Sequence, residues 1–119
     1  MTCTLKNELL TVEIDALGAQ LCSVKNGAGI EYIWKADPAV WNRHAPLLFP
    51  VIGRLRDGRY TVHGETCHIG SHGFARDSVF TVAEVNDTRA VFTLTVLRGS
   101  ETFEVEVALT ALDDMEGYP

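Results

Sequence analysis

Apolar and polar residues alternate with a period of two along most of this 119-residue chain, the repeat of half-buried strands and not of helices. Residues 9–14 (LLTVEI) and 19–26 (AQLCSVKN) predict two short strands, separated by a turn at 15–18. Asn26-Gly27-Ala28-Gly29 predicts a second turn, and residues 30–34 (IEYIW) a third strand. Asp37-Pro38 then predicts one helical turn through Trp41, because aspartate accepts from free N–H groups and proline suits the first helical position. Pro46 and Pro50 interrupt the apolar run 42–53 (NRHAPLLFPVIG). Proline withholds a ladder donor, so this run reads as a buried loop and not a central strand.

The two-residue period resumes after Gly53. Residues 59–62 and 65–69 predict a hairpin joined by His63-Gly64. Residues 79–85, 89–96 and 101–111 predict further strands, with turns at Asn86-Asp87 and Arg98-Gly99-Ser100. The last alternates most cleanly, with Phe103, Val105, Val107 and Leu109 set against Glu104, Glu106, Ala108 and Thr110. One of its faces is expected to be buried and the other wet. Residues 112–119 (LDDMEGYP) are acidic and aperiodic, and no repeat or linker divides the chain. The expected fold is mainly β, an antiparallel β-sandwich, with residues 1–119 as a single domain.

Composition narrows the partners. With 46% hydrophobic and 22% charged residues the chain has an ordinary globular balance. Its formal charge of −6 argues against a nucleic-acid partner, which requires a basic face. No stretch approaches the ~18 apolar residues of a membrane span, and MTCTLKNELL lacks the apolar segment of a secretory leader. The expected setting is therefore cytoplasmic, without a membrane partner. Cys3, Cys22 and Cys67 are widely spaced and form no CxxC pair, as expected of reduced, partly buried thiols.

Candidate chemistry concentrates in residues 53–77 (GRLRDGRYTVHGETCHIGSHGFARD), which hold three of the four histidines and four of the ten Lys/Arg residues. A hairpin needs no such polar density for packing. His72 sits beside Gly73, where backbone and ligand can approach closely, and a neutral imidazole both donates and accepts hydrogen bonds. The competing reading is a loop histidine satisfied by backbone groups. Arg54 offers a fixed fork of donors suited to a polyhydroxy or phosphorylated ligand, or else a structural ion pair with Asp57 or Asp77. Arg76 reads first as a local pair with Asp77, and Arg56 and Arg59 as a solvated turn around Asp57-Gly58. His63 and His68 read as surface residues, and His44 could line the same cavity as His72. Trp34 and Trp41 read as core aromatics or as a stacking platform. The histidine spacings complete no metal set, and no Ser-His-Asp signature or glycine-rich phosphate loop is present.

The residues themselves say more than their spacing. IEYIWKADPAVWNRHAPLLFPVIGRLRDGRYTVHG, followed by HGFARD, resembles the aldose 1-epimerase (galactose mutarotase) family, in its LacX-like branch. The likeness is strongest from about Leu5 to Phe80 and rests on several consecutive motifs in order. It implies a galactose mutarotase-like supersandwich, incomplete in this chain, that binds a hexose and interconverts its α and β anomers without metal or organic cofactor. In such enzymes a carboxylate takes the proton from the C1 hydroxyl while a histidine protonates the ring oxygen. Carried over by motif, Arg54 in GRL matches the arginine that orients the sugar. His72 in HGFAR matches the first of two active-site histidines, a catalytic and substrate-binding position near the ring oxygen. Arg76 matches a substrate-binding position that contacts phosphate in hexose-6-phosphate epimerases.

The family's second histidine and its glutamate base lie downstream of this region, and Glu101, Glu104 and Glu106 match no glutamate motif. The resemblance therefore implies the N-terminal portion of a longer domain, with little activity alone. It leaves open a non-catalytic carbohydrate-binding module, an inactive fragment, and an enzyme acting on 6-phosphorylated hexoses. Half a sandwich also predicts self-association through unpaired strands.

Overall fold

A computed structural model describes residues 1–111, so the expectation for residues 112–119 lies outside the described residues. The chain is built from antiparallel strands. β1 (Thr2–Lys6), β2 (Leu10–Asp15) and β3 (Gln20–Asn26) form one meander in that spatial order. β4 (Arg59–Val62) and β5 (Glu65–His68) form a separate hairpin. β6 (Thr81–Val85), β7 (Arg89–Arg98) and β8 (Glu101–Thr110) form a second meander.

The two three-stranded sheets face each other. Cys3 and Leu5 of β1 and Val12 and Ile14 of β2 pack with Phe80, Ala90 and Phe92 in one buried cluster. Each large apolar side chain buried there contributes roughly 1.5–3 kcal/mol. Between the sheets, Lys6 N–H donates to Asp87 O (2.6 Å), Gly18 N–H to Ser78 O (2.7 Å) and Phe80 N–H to Ala16 O (2.8 Å). This is an incomplete sandwich: sheet one covers Ala90 and Phe92 of β7, whereas Phe103, Val105, Val107 and Leu109 of β8 remain half-buried. The alternation expected of this last strand is present, but its apolar face is only partly covered.

Two strand expectations are corrected. β1 adds a strand to those expected: Thr2–Lys6 alternates strictly, with Cys3 and Leu5 inward. Residues 30–34 are not a strand. They contribute one bridge, Lys25 to Glu31, flanked by two main-chain hydrogen bonds, Asn26 N–H to Ile30 O (3.2 Å) and Tyr32 N–H to Val24 O (2.9 Å). The Glu31 carboxylate adds acceptors for the Val24 N–H (3.0 Å) and the Ser23 hydroxyl (3.0 Å) at the same edge.

The expected turn at Asp37 is present: its side chain accepts from Ala39 N–H (2.9 Å) and its carbonyl from Trp41 N–H (2.9 Å). The 42–53 run is a loop, as its prolines require, but half-buried rather than buried. No helix among the described residues is long and apolar enough to cross a membrane.

Candidate functional site

The polar segment is organised by one junction between two loops. His72 N–H donates to Gly53 O (2.7 Å), and Gly53 N–H donates back to His72 Nδ1 (2.8 Å). His72 therefore sits with φ 64°, a left-handed conformation whose cost is offset by two hydrogen bonds. Because Nδ1 accepts from a backbone N–H, the neutral ring carries its proton on Nε2. His72 is thus held as an Nε2–H donor. The structure shows the reading of a loop histidine bonded by backbone groups, through one ring nitrogen.

The next residue locks the loop. Gly73 forms a parallel bridge with Phe49, and Phe49 O accepts from both Phe74 N–H (3.0 Å) and Ala75 N–H (3.2 Å). With φ 79°, a Cβ at Gly73 would drive into the Phe49 carbonyl and lie 2.7 Å from Pro50 N. The Phe49–Pro50 peptide is cis. The rings of Phe49, Phe74 and Phe103 meet edge to face at 5.5–6.3 Å beneath this contact.

Arg54, next to Gly53, is exposed and makes no hydrogen bond or ion pair among the described residues. The expected pairing with Asp57 or Asp77 is not found: Asp57 meets Arg59 (3.5 Å), as the reading of a solvated turn implied, and Asp77 meets Arg43 (2.9 Å). Arg76 does not pair with its neighbour Asp77 either. It folds back so that Nη2 donates to Ser71 O (2.9 Å), while its buried Nε has no partner among the described residues. Arg43 is thus held by Asp77, and Arg76 by the carbonyl of Ser71, next to His72.

Arg54 and His72 are linked in sequence through the β4–β5 hairpin. The hairpin base is closed by Ile69 N–H donating to Gly58 O (2.9 Å). Its tip, His63-Gly64, has φ 49° and 79°, a tight turn whose twist suits the flanking strands. The tip is tied to the β7–β8 turn by His63 Nε2 to Glu101 Oε1 (2.9 Å), and β5 by Ser100 N–H to Glu65 Oε2 (2.9 Å). His63 and His68 are exposed and stand apart from the junction.

The preceding loop holds features that spacing did not reveal. Gln20 Oε1 accepts from His44 N–H (2.9 Å) and Ala45 N–H (3.1 Å), fixing the segment that carries Arg43. His44 Nδ1 lies 2.6 Å from Trp34 O, so it must be the donor there, the opposite tautomer from His72. Trp34 and Trp41 are 39% and 48% exposed, not core residues of this chain, and Trp34 Nε1–H donates to Trp41 O (2.8 Å). Nothing in sequence marks Gln20, and Arg43 and Asp77 lie 34 residues apart. The perturbed titrations lie elsewhere: burial pushes the Cys22 thiol up, and burial, then the neighbouring Cys67, pushes the Tyr60 hydroxyl up.

Comparison with known proteins places this geometry. A family model described as aldose 1-epimerase matches residues 1–112. The plasmid and chromosomal LacX proteins of Lactococcus lactis subsp. lactis are each 44% identical over 99 residues, covering 79% of this chain and 33% of the relative. A galactose mutarotase related enzyme from Lactobacillus acidophilus superposes with a TM-score of 0.89 at 36% identity, over 94% of this chain and 39% of that one. A galactose mutarotase-like protein from Lactobacillus casei gives 0.88 at 33% identity, over 95% and 40%. The chain thus spans about a third of the length of the curated relatives it matches.

Proposed function

Since the chain belongs to the aldose 1-epimerase family, we propose that it forms the substrate-holding part of a site interconverting the α and β anomers of a hexose. The observation that carries this reading is the reciprocal Gly53–His72 pair, which fixes His72 as an Nε2–H donor beside the unpaired Arg54.

In this reading the Arg54 guanidinium orients the sugar through its hydroxyls, and His72 Nε2–H donates to the ring oxygen or its neighbour. The donation withdraws charge from the C1–O5 bond as the C1 hydroxyl loses its proton. The bond breaks, C1 rotates, and closure returns either anomer. A general acid for the ring oxygen and a base for the C1 hydroxyl complete the cycle. We assign neither to this chain, so the chain alone is expected to bind sugar without accelerating exchange. A non-catalytic sugar-binding role is the limit of this reading if no acid and base are supplied.

A 6-phosphorylated hexose is the second reading, supported by Arg76, which is free of Asp77 and keeps an unpartnered Nε among the described residues. In it the Arg76 guanidinium is the phosphate contact, and its hold on Ser71 O keeps it beside His72.

Titration with galactose, glucose and glucose 6-phosphate, followed on the His72 imidazole by NMR, tests binding. A shift at His72 that is lost in Arg54→Ala is expected, and no shift with any sugar would overturn the reading. Saturation transfer between anomeric protons tests turnover. Exchange above buffer is expected from a full-length relative such as LacX, reduced by substitutions equivalent to Arg54→Ala and His72→Ala, and unaltered exchange rates in those variants would exclude these roles.

A further inference from the structure

Asp77 pairs with an arginine 34 residues away and not with the one beside it. Arg43 Nη2 donates to Asp77 Oδ1 (2.9 Å). Arg76 instead turns its Nη2 onto Ser71 O (2.9 Å) and leaves its buried Nε without a partner among the described residues. A buried donor left unpaired costs free energy that a carboxylate partner would recover. The adjacent carboxylate is the natural partner, and Arg43 occupies it.

The main chain leaves this choice to the side chains. Asp77 N–H donates to Phe74 O (3.1 Å) and Ser78 N–H to Ala75 O (3.2 Å), closing the turn at Ala75–Asp77. Gly18 N–H donates to Ser78 O (2.7 Å), and a Cβ at Gly18 would lie 2.8 Å from Arg76 O. The turn between β2 and β3 thus packs directly on the Arg76 backbone. Arg43 is set in place by the start of β3, where Gln20 Oε1 accepts from the two amides that follow it, His44 N–H (2.9 Å) and Ala45 N–H (3.1 Å). Both arginines have fixed backbones, and one carboxylate decides between their side chains.

We propose that Arg43 is a positioning residue for Arg76. By occupying Asp77 it keeps the Arg76 guanidinium on Ser71 O, next to His72, with Nε unpaired. Without Arg43 the Asp77 carboxylate captures Arg76, and the hold on Ser71 O is lost. The consequence for ligand binding rests on the reading of Arg76 as a phosphate contact: Arg43 then sets the affinity for a phosphorylated sugar through Asp77, without touching the ligand. The side chains of Arg43 and Asp77 are 27% and 62% exposed, so the pair adds little to stability and Arg43→Ala is expected to fold.

The NMR signal of the Arg76 Nε–H group is the readout, in this chain and in its Arg43→Ala and Arg43→Ala/Asp77→Asn variants, with inorganic phosphate and glucose 6-phosphate as probes. In Arg43→Ala the signal is expected to move before any probe is added, and the affinity for both probes to fall roughly tenfold. The double variant has the net charge of the parent and no carboxylate at position 77, and should return both. Loss of a positive charge by itself would weaken phosphate binding without moving the signal of the probe-free chain. An unmoved signal in Arg43→Ala therefore overturns the proposal, as does a moved signal that the double variant does not return. Failure of both probes to bind the parent overturns the phosphate reading alone, because the capture of Arg76 is read from its own signal.

Discussion

The Gly53–His72 junction and the β8 strand differ in a way that reverses the usual expectation about loops and strands. The junction has irregular backbone, with positive φ at Gly53, His72 and Gly73, yet it is closed by reciprocal hydrogen bonds and by the double acceptor at Phe49 O. β8 is ten regular residues, yet its apolar face is half-covered and its edge unpaired. Closure here follows the satisfaction of polar groups, not regularity of the chain.

Substitutions can break this contrast. The largest effect is expected from Gly73→Ala, which forces a Cβ into the Phe49 carbonyl at φ 79°; a loss of about 3 kcal/mol or more in urea unfolding follows from the strain and displaced pairing. His72→Ala leaves Gly53 N–H without its acceptor and should cost about 2 kcal/mol. His72→Asn sharpens the point, because asparagine tolerates positive φ and offers an acceptor oxygen. It should recover most of the stability while the sugar response at this position stays lost. If His72→Asn is no more stable than His72→Ala, the hydrogen bond is not what holds the junction.

On the other side of the comparison, Leu109→Ala should cost about 1 kcal/mol, below the ~2–5 kcal/mol of a fully buried leucine, because its site is already half open. A loss in the fully buried range would mean that β8 is covered. Arg54→Ala should leave the unfolding free energy within about 0.5 kcal/mol of the parent, since the guanidinium holds nothing among the described residues. On the proposed reading its effect is expected in sugar binding alone.

Much of the fold was legible from residue order. Seven of the eight strands among the described residues fall where a two-residue period placed them, with ends moved by one or two positions, because burial on one face leaves that period in the sequence. β1 went unread although it alternates, and residues 30–34 carry strand-like composition but meet β3 only around the single Lys25–Glu31 bridge. The site was legible only in part. Motif likeness picked out Arg54 and His72, but their junction depends on backbone amides that have no side-chain signature. The pairing of Arg43 with Asp77, in place of Arg76 with Asp77, depends on how two distant loops meet. Local spacing favours neighbours, and tertiary structure chose otherwise.

The hairpin between Gly53 and His72 has a consequence for how this scaffold can vary. The Gly53–His72 bond joins positions 19 apart and closes a ring of chain in which β4 and β5 are the only strands. Residues added at the His63-Gly64 tip lengthen that ring without altering its closure, at an entropic cost of only ~0.6 kcal/mol per doubling of loop length. The tip can therefore acquire or lose length, and with it new neighbours, while the Gly53–His72 closure is inherited unchanged. Novelty in this part of the domain has a place to accumulate that is insulated from the residues it would otherwise endanger.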